Sequence, residues 1–317
     1  MTFAFVFPGQ GSQSVGMLAA LSGVDPVVRA TFDEASKALG YDLWQLAQEG
    51  PAERLDSTEF TQPALLTAGI ATARLWSKQG GGDPAVVAGH SLGEFTALVC
   101  AGALEFSTAV ALVKFRGQVM QEAVPAGVGA MLAILGLGDA EIEAACREAA
   151  QGEVVEPVNY NSAGQVVIAG AAAAVQRAGE TAKARGAKKV VPIAVSVPSH
   201  SSLMGPAADR FTRRIAELDI RAPRIRYISA ADAAPHSDPN DIRTLLGRQL
   251  ARPVRWTDTV RAVAAAGVDQ IIECGPGKKL TGMNKRVEGV TGVTFAALED
   301  PVSVEAALAA TKGAANA

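Results

Sequence analysis

A chain of 317 residues with 49% hydrophobic content is long enough to bury a full core, and it reads as one large domain carrying a smaller one. A net charge of −3 with 5% aromatic residues offers neither a basic field nor stacking platforms, so nucleic acid is not an expected partner. Cys100, Cys146 and Cys274 lie far apart in apolar segments and suggest neither disulfides nor a zinc site, while an uncharged N-terminus and the lack of any apolar run near ~18 residues point to the cytoplasm and away from a membrane.

Residues 3–7 are a continuous apolar run, the pattern of a strand buried on both faces, and Pro8-Gly9-Gln10-Gly11-Ser12-Gln13 follows at once. A dinucleotide fingerprint fails here because Ser14 stands where its third glycine belongs. The glycines suit a backbone brought close to a ligand or to a neighbouring turn. Asp25 as N-cap, Pro26 at the first helical position and Gly40 at the end predict a helix over 26–39; a second spans about 61–78. Gly80-Gly81-Gly82-Asp83-Pro84 then breaks the chain before an apolar strand at 85–88.

That strand runs into Gly89-His90-Ser91-Leu92-Gly93 and then into an apolar helix, the context of a nucleophile elbow. Glycines on either side of Ser91 let strand and helix approach closely, which pushes the serine Oγ out of the sheet. The N–H groups of the first helical turn would face an oxyanion formed at that oxygen. Ser107 is expected to open the next helix, where Ala109, Leu112, Val113, Arg116 and Met120 share one face. Arg116 therefore sits in an apolar stripe, and a buried guanidinium needs a partner: a distant Asp or Glu, or a ligand.

Residues 130–195 change in texture. Strands at 130–135, 154–160, 165–170 and 188–195 and helices at 139–150 and 172–185, with a turn at Asn161-Ser162-Ala163-Gly164, follow the order β-α-β-β-α-β. The expected fold class is α/β: an α/β-hydrolase-like doubly wound parallel sheet made by residues 1–126 and 197–317, with a ferredoxin-like subdomain inserted at 127–196. After the insertion come strands near 224–229 and 269–274, helices near 242–250, 256–266 and 278–286, a polar loop at 231–240 and a final alanine-rich helix after Pro301.

A serine needs a base, and three histidines are available. His90 adjoins Ser91, with a side chain expected to point away from it, and His236 lies in a polar loop. His200 follows Pro198 at the seam where the insertion rejoins the main domain, and it is the expected base. Asp139, Glu156 and other acids between Ser91 and His200 fall in the insertion, so no third triad member is evident: either a backbone or amide carbonyl holds the imidazole or the esterase picture fails.

Phe7-Pro8-Gly9-Gln10-Gly11-Ser12-Gln13, Thr61-Gln62-Pro63-Ala64, Gly89-His90-Ser91-Leu92-Gly93-Glu94, Arg116-Gly117, Pro157-Val158-Asn159-Tyr160-Asn161-Ser162, Val197-Pro198-Ser199-His200, Arg248-Gln249-Leu250 and Gly275-Pro276-Gly277 together resemble the malonyl-CoA:acyl carrier protein transacylases of bacterial fatty-acid synthesis. The resemblance implies a malonyl group carried on Ser91 from coenzyme A to a phosphopantetheine thiol. It implies His200 as acid and base, the Gln249 carbonyl steadying its ring, the N–H groups of Gln10 and Leu92 as the oxyanion hole, and Arg116 gripping the malonyl carboxylate. It implies no metal or redox cofactor, malonyl-CoA and acyl carrier protein as partners, and a monomer. The carrier is expected to be acidic, so two basic clusters are docking candidates: Lys183, Arg185, Lys188 and Lys189, and Lys278, Lys279, Lys285 and Arg286. A serine hydrolase or thioesterase discharging to water, and a non-catalytic binding module, are the competing readings.

Overall fold

The computed structural model describes residues 1–125, 127–193 and 197–313. Strands in chain order are β1 (Phe3–Phe7), β2 (Val86–Gly89), β3 (Gly129–Leu135), β4 (Val155–Ser162), β5 (Gln165–Ala171), β6 (Lys189–Pro192), β7 (Arg226–Ile228), β8 (Pro235–His236), β9 (Gln270–Glu273) and β10 (Thr294–Ala297).

One sheet has the order β10-β9-β1-β2-β7-β8, parallel except for β8, which runs antiparallel to β7. Every residue of β1, β2 and β9 is buried, which is why β1 and β2 read as unbroken apolar runs, while β9 buries Gln270 and Glu273 at its two ends. Successive side chains of β1 feed opposite faces. Phe3, Phe5 and Phe7 join the larger core, which includes Trp76, Phe95 and Phe211, while Ala4 and Val6 join a smaller one around Trp256 and Val260. The chain steps from β1 to β2 and β7 on one side, then returns to place β9 and β10 on the other. Loops leaving the carboxyl ends of β1 and β2 thus meet near the point where strand order reverses, the usual place for a ligand in such sheets.

The second sheet, β4-β5-β3-β6, is antiparallel, with the strand order of a ferredoxin-like unit. Along β3, Ala130, Leu132 and Ile134 pack beneath the helices Asp139–Ala150 and Ala172–Ala184, whereas Met131 and Ala133 face the other way. That second face looks toward the main sheet. Mutual bonds join the two units at Val254, whose N–H donates to Val158 O (2.8 Å) and whose carbonyl accepts from Tyr160 N–H (2.9 Å).

Several element bounds depart from expectation. The helix expected from about 61 spans Thr58–Lys78, with Pro63 accommodated inside it. The helix Phe106–Ala123 is capped by the Glu105 carboxylate on the N–H groups of Ser107 and Thr108, so Glu105, not Ser107, opens it. The helix Asp139–Ala150 has no side-chain cap. β4 continues through Ser162, which narrows the turn to Ala163-Gly164, and β6 ends at Pro192; Ala194 and Val195 of the longer expected strand lie outside the described residues, as do Ala126 and Ser196 at the expected subdomain boundaries. The expected loop 231–240 contains β8, and β10 and the helix Gly205–Ala216 have no counterpart in the sequence reading. Cys146 and Cys274 are buried and Cys100 partly so. Among the described residues no helix is long and apolar enough to cross a membrane.

Candidate active site

Ser91 lies two residues beyond the end of β2 and has φ of 53°, a left-handed backbone that a non-glycine residue adopts only where the surroundings impose it. The two glycines of the motif supply that constraint. A Cβ on Gly89 would fall 1.9 Å from the carbonyl carbon of Gly93, and one on Gly93 would fall 2.0 Å from the Phe7 carbonyl oxygen. Strand, turn and helix therefore pack backbone to backbone beneath the serine. Leu92 begins the helix Gly93–Cys100, and Gln10 lies across the cavity in the loop after β1. The N–H groups of Gln10 and Leu92 donate to no acceptor among the described residues.

His200 also has a left-handed backbone, with φ of 67°, and its N–H donates to Leu250 O at 3.0 Å. Its Nδ1 lies 2.9 Å from Gln249 O and 3.1 Å from Arg252 O. Carbonyls only accept, so Nδ1 carries the proton and Nε2 presents a lone pair. Ser91 Oγ, 2.7 Å from Nε2, donates to it. The missing triad acid is thus replaced by two main-chain carbonyls that fix the tautomer without a charge. Burial, reinforced by the nearby Arg116 cation, holds the imidazole down to about 3, so it is neutral and able to take a proton at pH 7.

Arg116 is fully buried in the helix Phe106–Ala123, with its guanidinium carbon 5.5 Å from the Phe95 ring centroid. Nη1 donates to Gln62 Oε1 and Nη2 to Gln249 Oε1, both at 2.9 Å, and Nη2 also reaches Ser91 Oγ at 3.3 Å. Among the described residues it forms no salt bridge and its Nε has no partner. The distant Asp or Glu expected as a structural partner is absent from direct contact; neutral amide oxygens take its place. Glu94, the nearest opposing charge, is reached only through Gln249, whose Nε2 donates to it. Burial lowers the guanidinium to about 10, which leaves it cationic at neutral pH. A desolvated cation pointed at a serine nucleophile suits an acyl group that ends in a carboxylate.

Ser91, His200, Gln10 and Met120 line a cavity of about 120 Å³ together with Met131 and Asn159 from the small sheet and Ile193 just after β6. The Ser91 and His200 side chains come from the main unit and the roof from the insertion. His90 turns to Asn161, with Nε2 2.8 Å from Oδ1, and His236 sits away on β8 against Asp232 at 2.9 Å. Gln62 and Glu94 enter the sequence analysis only as motif letters, and Asn161 only as a motif and turn residue. Gln62, an amide in an otherwise apolar helix stretch, was the one visible signal.

The basic clusters are only partly available. Arg185 is held by Glu141 and Glu148, Lys278 by Glu299, and Lys279 folds back onto the Gly11 carbonyl. Lys188, Lys189 and Lys285 are exposed and make no ion pair among the described residues, and Arg286 donates to Gln165 Oε1 at 2.6 Å. Lys188 lies against Gly136, which bonds Gly164, so Lys188 and Arg286 flank the same β4–β5 turn.

Residues 4–292 match the family described as acyl transferase domain. The chain is 56% identical over 306 residues to malonyl CoA-acyl carrier protein transacylase of Escherichia coli, covering 96% of this chain and 98% of that one. The Bacillus subtilis protein of the same description is 44% identical, with 96% of each chain covered. Among solved structures, a malonyl-transacylase in complex with its type II PKS acyl-carrier protein superposes with a TM-score of 0.95 at 51% identity, over 97% of this chain and 99% of that chain. The transacylase of Coxiella burnetii gives 0.95 at 52% identity over 97% of both. With these matches spanning nearly its whole length, the chain belongs to the malonyl CoA-acyl carrier protein transacylase family.

Proposed function

We infer that the protein moves a malonyl group from coenzyme A to acyl carrier protein and so supplies malonyl-carrier for fatty-acid synthesis. The observation that carries the site assignment is the 2.7 Å contact between Ser91 Oγ and an imidazole locked as acceptor, beside a buried Arg116 with no carboxylate of its own.

In the proposed reaction Ser91 Oγ gives its proton to His200 Nε2 and attacks the thioester carbonyl carbon. The oxyanion is met by the N–H groups of Gln10 and Leu92, each worth roughly 3 to 4 kcal/mol of barrier. The C–S bond breaks, and the imidazolium returns its proton to the departing thiolate. The phosphopantetheine thiol of the carrier then repeats the sequence in reverse: it gives a proton to His200, attacks the serine ester, and leaves Ser91 as a hydroxyl. These steps call on no cofactor beyond the coenzyme A of the donor and the phosphopantetheine of the acceptor. Every side chain used comes from one chain, which supports a monomeric catalytic unit, and a cytoplasmic setting suits both substrates.

The test is intact-protein mass spectrometry after addition of malonyl-CoA, followed by carrier protein. A malonyl adduct that survives in buffer and is discharged by carrier protein is the expected result. An adduct lost to water at the same rate with or without carrier favours the hydrolase reading.

The neutral imidazole has a kinetic consequence. Since its proton affinity is set near pH 3, single-turnover acylation should change little between pH 7 and pH 5. A free imidazole near 6.5 would lose about 25-fold of its basic form over that range. Arg116→Ala removes the largest charge opposing protonation of His200 and should move the acid limb upward. A wild-type profile falling through pH 6.5 would contradict the assignment.

For docking, the proposed surface comprises Lys188, Lys189, Lys285 and Arg286. Charge reversal at Lys189 or Lys285 should raise the apparent KM for carrier protein and leave acylation by malonyl-CoA unchanged. Added salt should act in the same sense, because attraction between exposed charges is screened beyond roughly 8 to 10 Å. Unchanged carrier kinetics in both reversals would remove this surface.

A further inference from the structure

Glu94 lies in the first turn of the helix after Ser91, yet it is 1% exposed and takes no part in the cavity wall. Its Oε1 accepts from the Tyr227 hydroxyl (2.7 Å), the Ser229 hydroxyl (2.7 Å) and the Ala230 N–H (2.8 Å). Its Oε2 accepts from Gln249 Nε2. Burial pushes this carboxyl up and the four donors pull it back down; since the amide and main-chain N–H groups can only donate, the arrangement is that of a carboxylate ringed by donors.

Gln249 is consequently a polarised relay. Its Nε2 is committed to Glu94 and to the Ser91 carbonyl (2.9 Å), which turns Oε1 toward Arg116 Nη2 at 2.9 Å. Turned end for end, the same amide would set its NH₂ against the guanidinium and its oxygen against the carboxylate, two repulsive contacts in a dry interior. A side-chain amide has little preference of its own between these orientations. The fixed negative charge of Glu94 supplies one.

We propose that Glu94 is a positioning residue which sets the orientation of the Gln249 side chain and, through it, the fork of Arg116, so that preference for a carboxylate-bearing acyl group depends on a carboxylate that never touches substrate. The inference rests on the reading of Arg116 as the group that meets the malonyl carboxylate. Glu94→Gln is the discriminating variant. Its oxygen can still serve Tyr227, Ser229 and Ala230, but its NH₂ then confronts that of Gln249 and drives the latter to turn over.

The experiment measures catalytic efficiency with malonyl-CoA and acetyl-CoA in wild type, E94Q, Q249L, R116A and the double variant E94Q/R116A. E94Q should lower the malonyl-to-acetyl ratio by about tenfold, the scale of one hydrogen bond to a charged group. In the R116A background, E94Q should shift that ratio less than twofold. A ratio that falls in R116A but not in E94Q overturns the inference alone, and so does an E94Q effect that persists undiminished without Arg116. An unchanged ratio in R116A overturns the reading of Arg116 and the inference with it. If E94Q does not fold, Q249L decides, because it removes the relay while Glu94 keeps its other three donors: a lowered ratio supports the inference and an unchanged one overturns it.

Discussion

Ser91→Ala should abolish the malonyl adduct, and His200→Ala, with its fold intact, should slow single-turnover acylation by roughly two to four orders of magnitude. The geometry sets the size of the effect. Nε2 is the acceptor 2.7 Å from Oγ, and His90 and His236 are engaged elsewhere, with Asn161 and Asp232. Without His200 the serine proton has only water to go to, while the N–H groups of Gln10 and Leu92 remain to stabilise the oxyanion, which keeps the residual rate above zero. Folding should survive because the segment is held by a main-chain bond from His200 N–H to Leu250 O and by the Ser201 hydroxyl donating to Pro198 O, both of which the substitution leaves in place. Near-native acylation by His200→Ala together with loss in His236→Ala would show that the base is wrongly assigned.

The elbow was legible because its chemistry is written in glycine spacing: only residues without a Cβ fit where Gly89 meets Gly93 and Gly93 meets Phe7. The inserted sheet was legible because its strands alternate between a helix-covered face and a second face, so periodicity and order both survive in the sequence. His200 could be preferred over two rivals by its place at the seam. What holds it could not be read from residue types, since the imidazole is fixed by carbonyls that every residue possesses. The network around Arg116 was hidden for a different reason. Gln62, Gln249 and Glu94 are polar residues within ordinary helical stretches, and their partners lie 54, 133 and 155 positions away. The helix Thr58–Lys78 starts before the expected 61 and carries Pro63 inside it, because tertiary packing of its buried face overrides local propensity.

Arg116 carries the largest expected change in selectivity. A guanidinium buried without any acceptor would cost several kcal/mol, but here two of its five N–H groups rest on amide oxygens and a third points at Ser91 Oγ, so the bare-cation penalty does not apply in full. What an acetyl group forgoes is the charge-assisted bonding that a malonyl carboxylate would gain from the remaining donors, about 1.5 to 3 kcal/mol, or roughly 10- to 150-fold. Arg116→Ala should therefore reduce malonyl transfer sharply and raise acetyl transfer relative to it, with the ratio falling by that factor. Lysine should rescue poorly, because a point-like ammonium cannot donate at once to Gln62 on one side and Gln249 on the other while facing Ser91. Removing the guanidinium also strands two amide oxygens, so a loss of stability is expected beside the change in selectivity; thermal unfolding measures the first and the malonyl-to-acetyl ratio of kcat/KM the second. Equal ratios in wild type, Arg116→Ala and Arg116→Lys would make Arg116 a structural cation held by amides, and the choice of acyl group would then rest on the shape of the cavity lined by Met120, Met131 and Ile193.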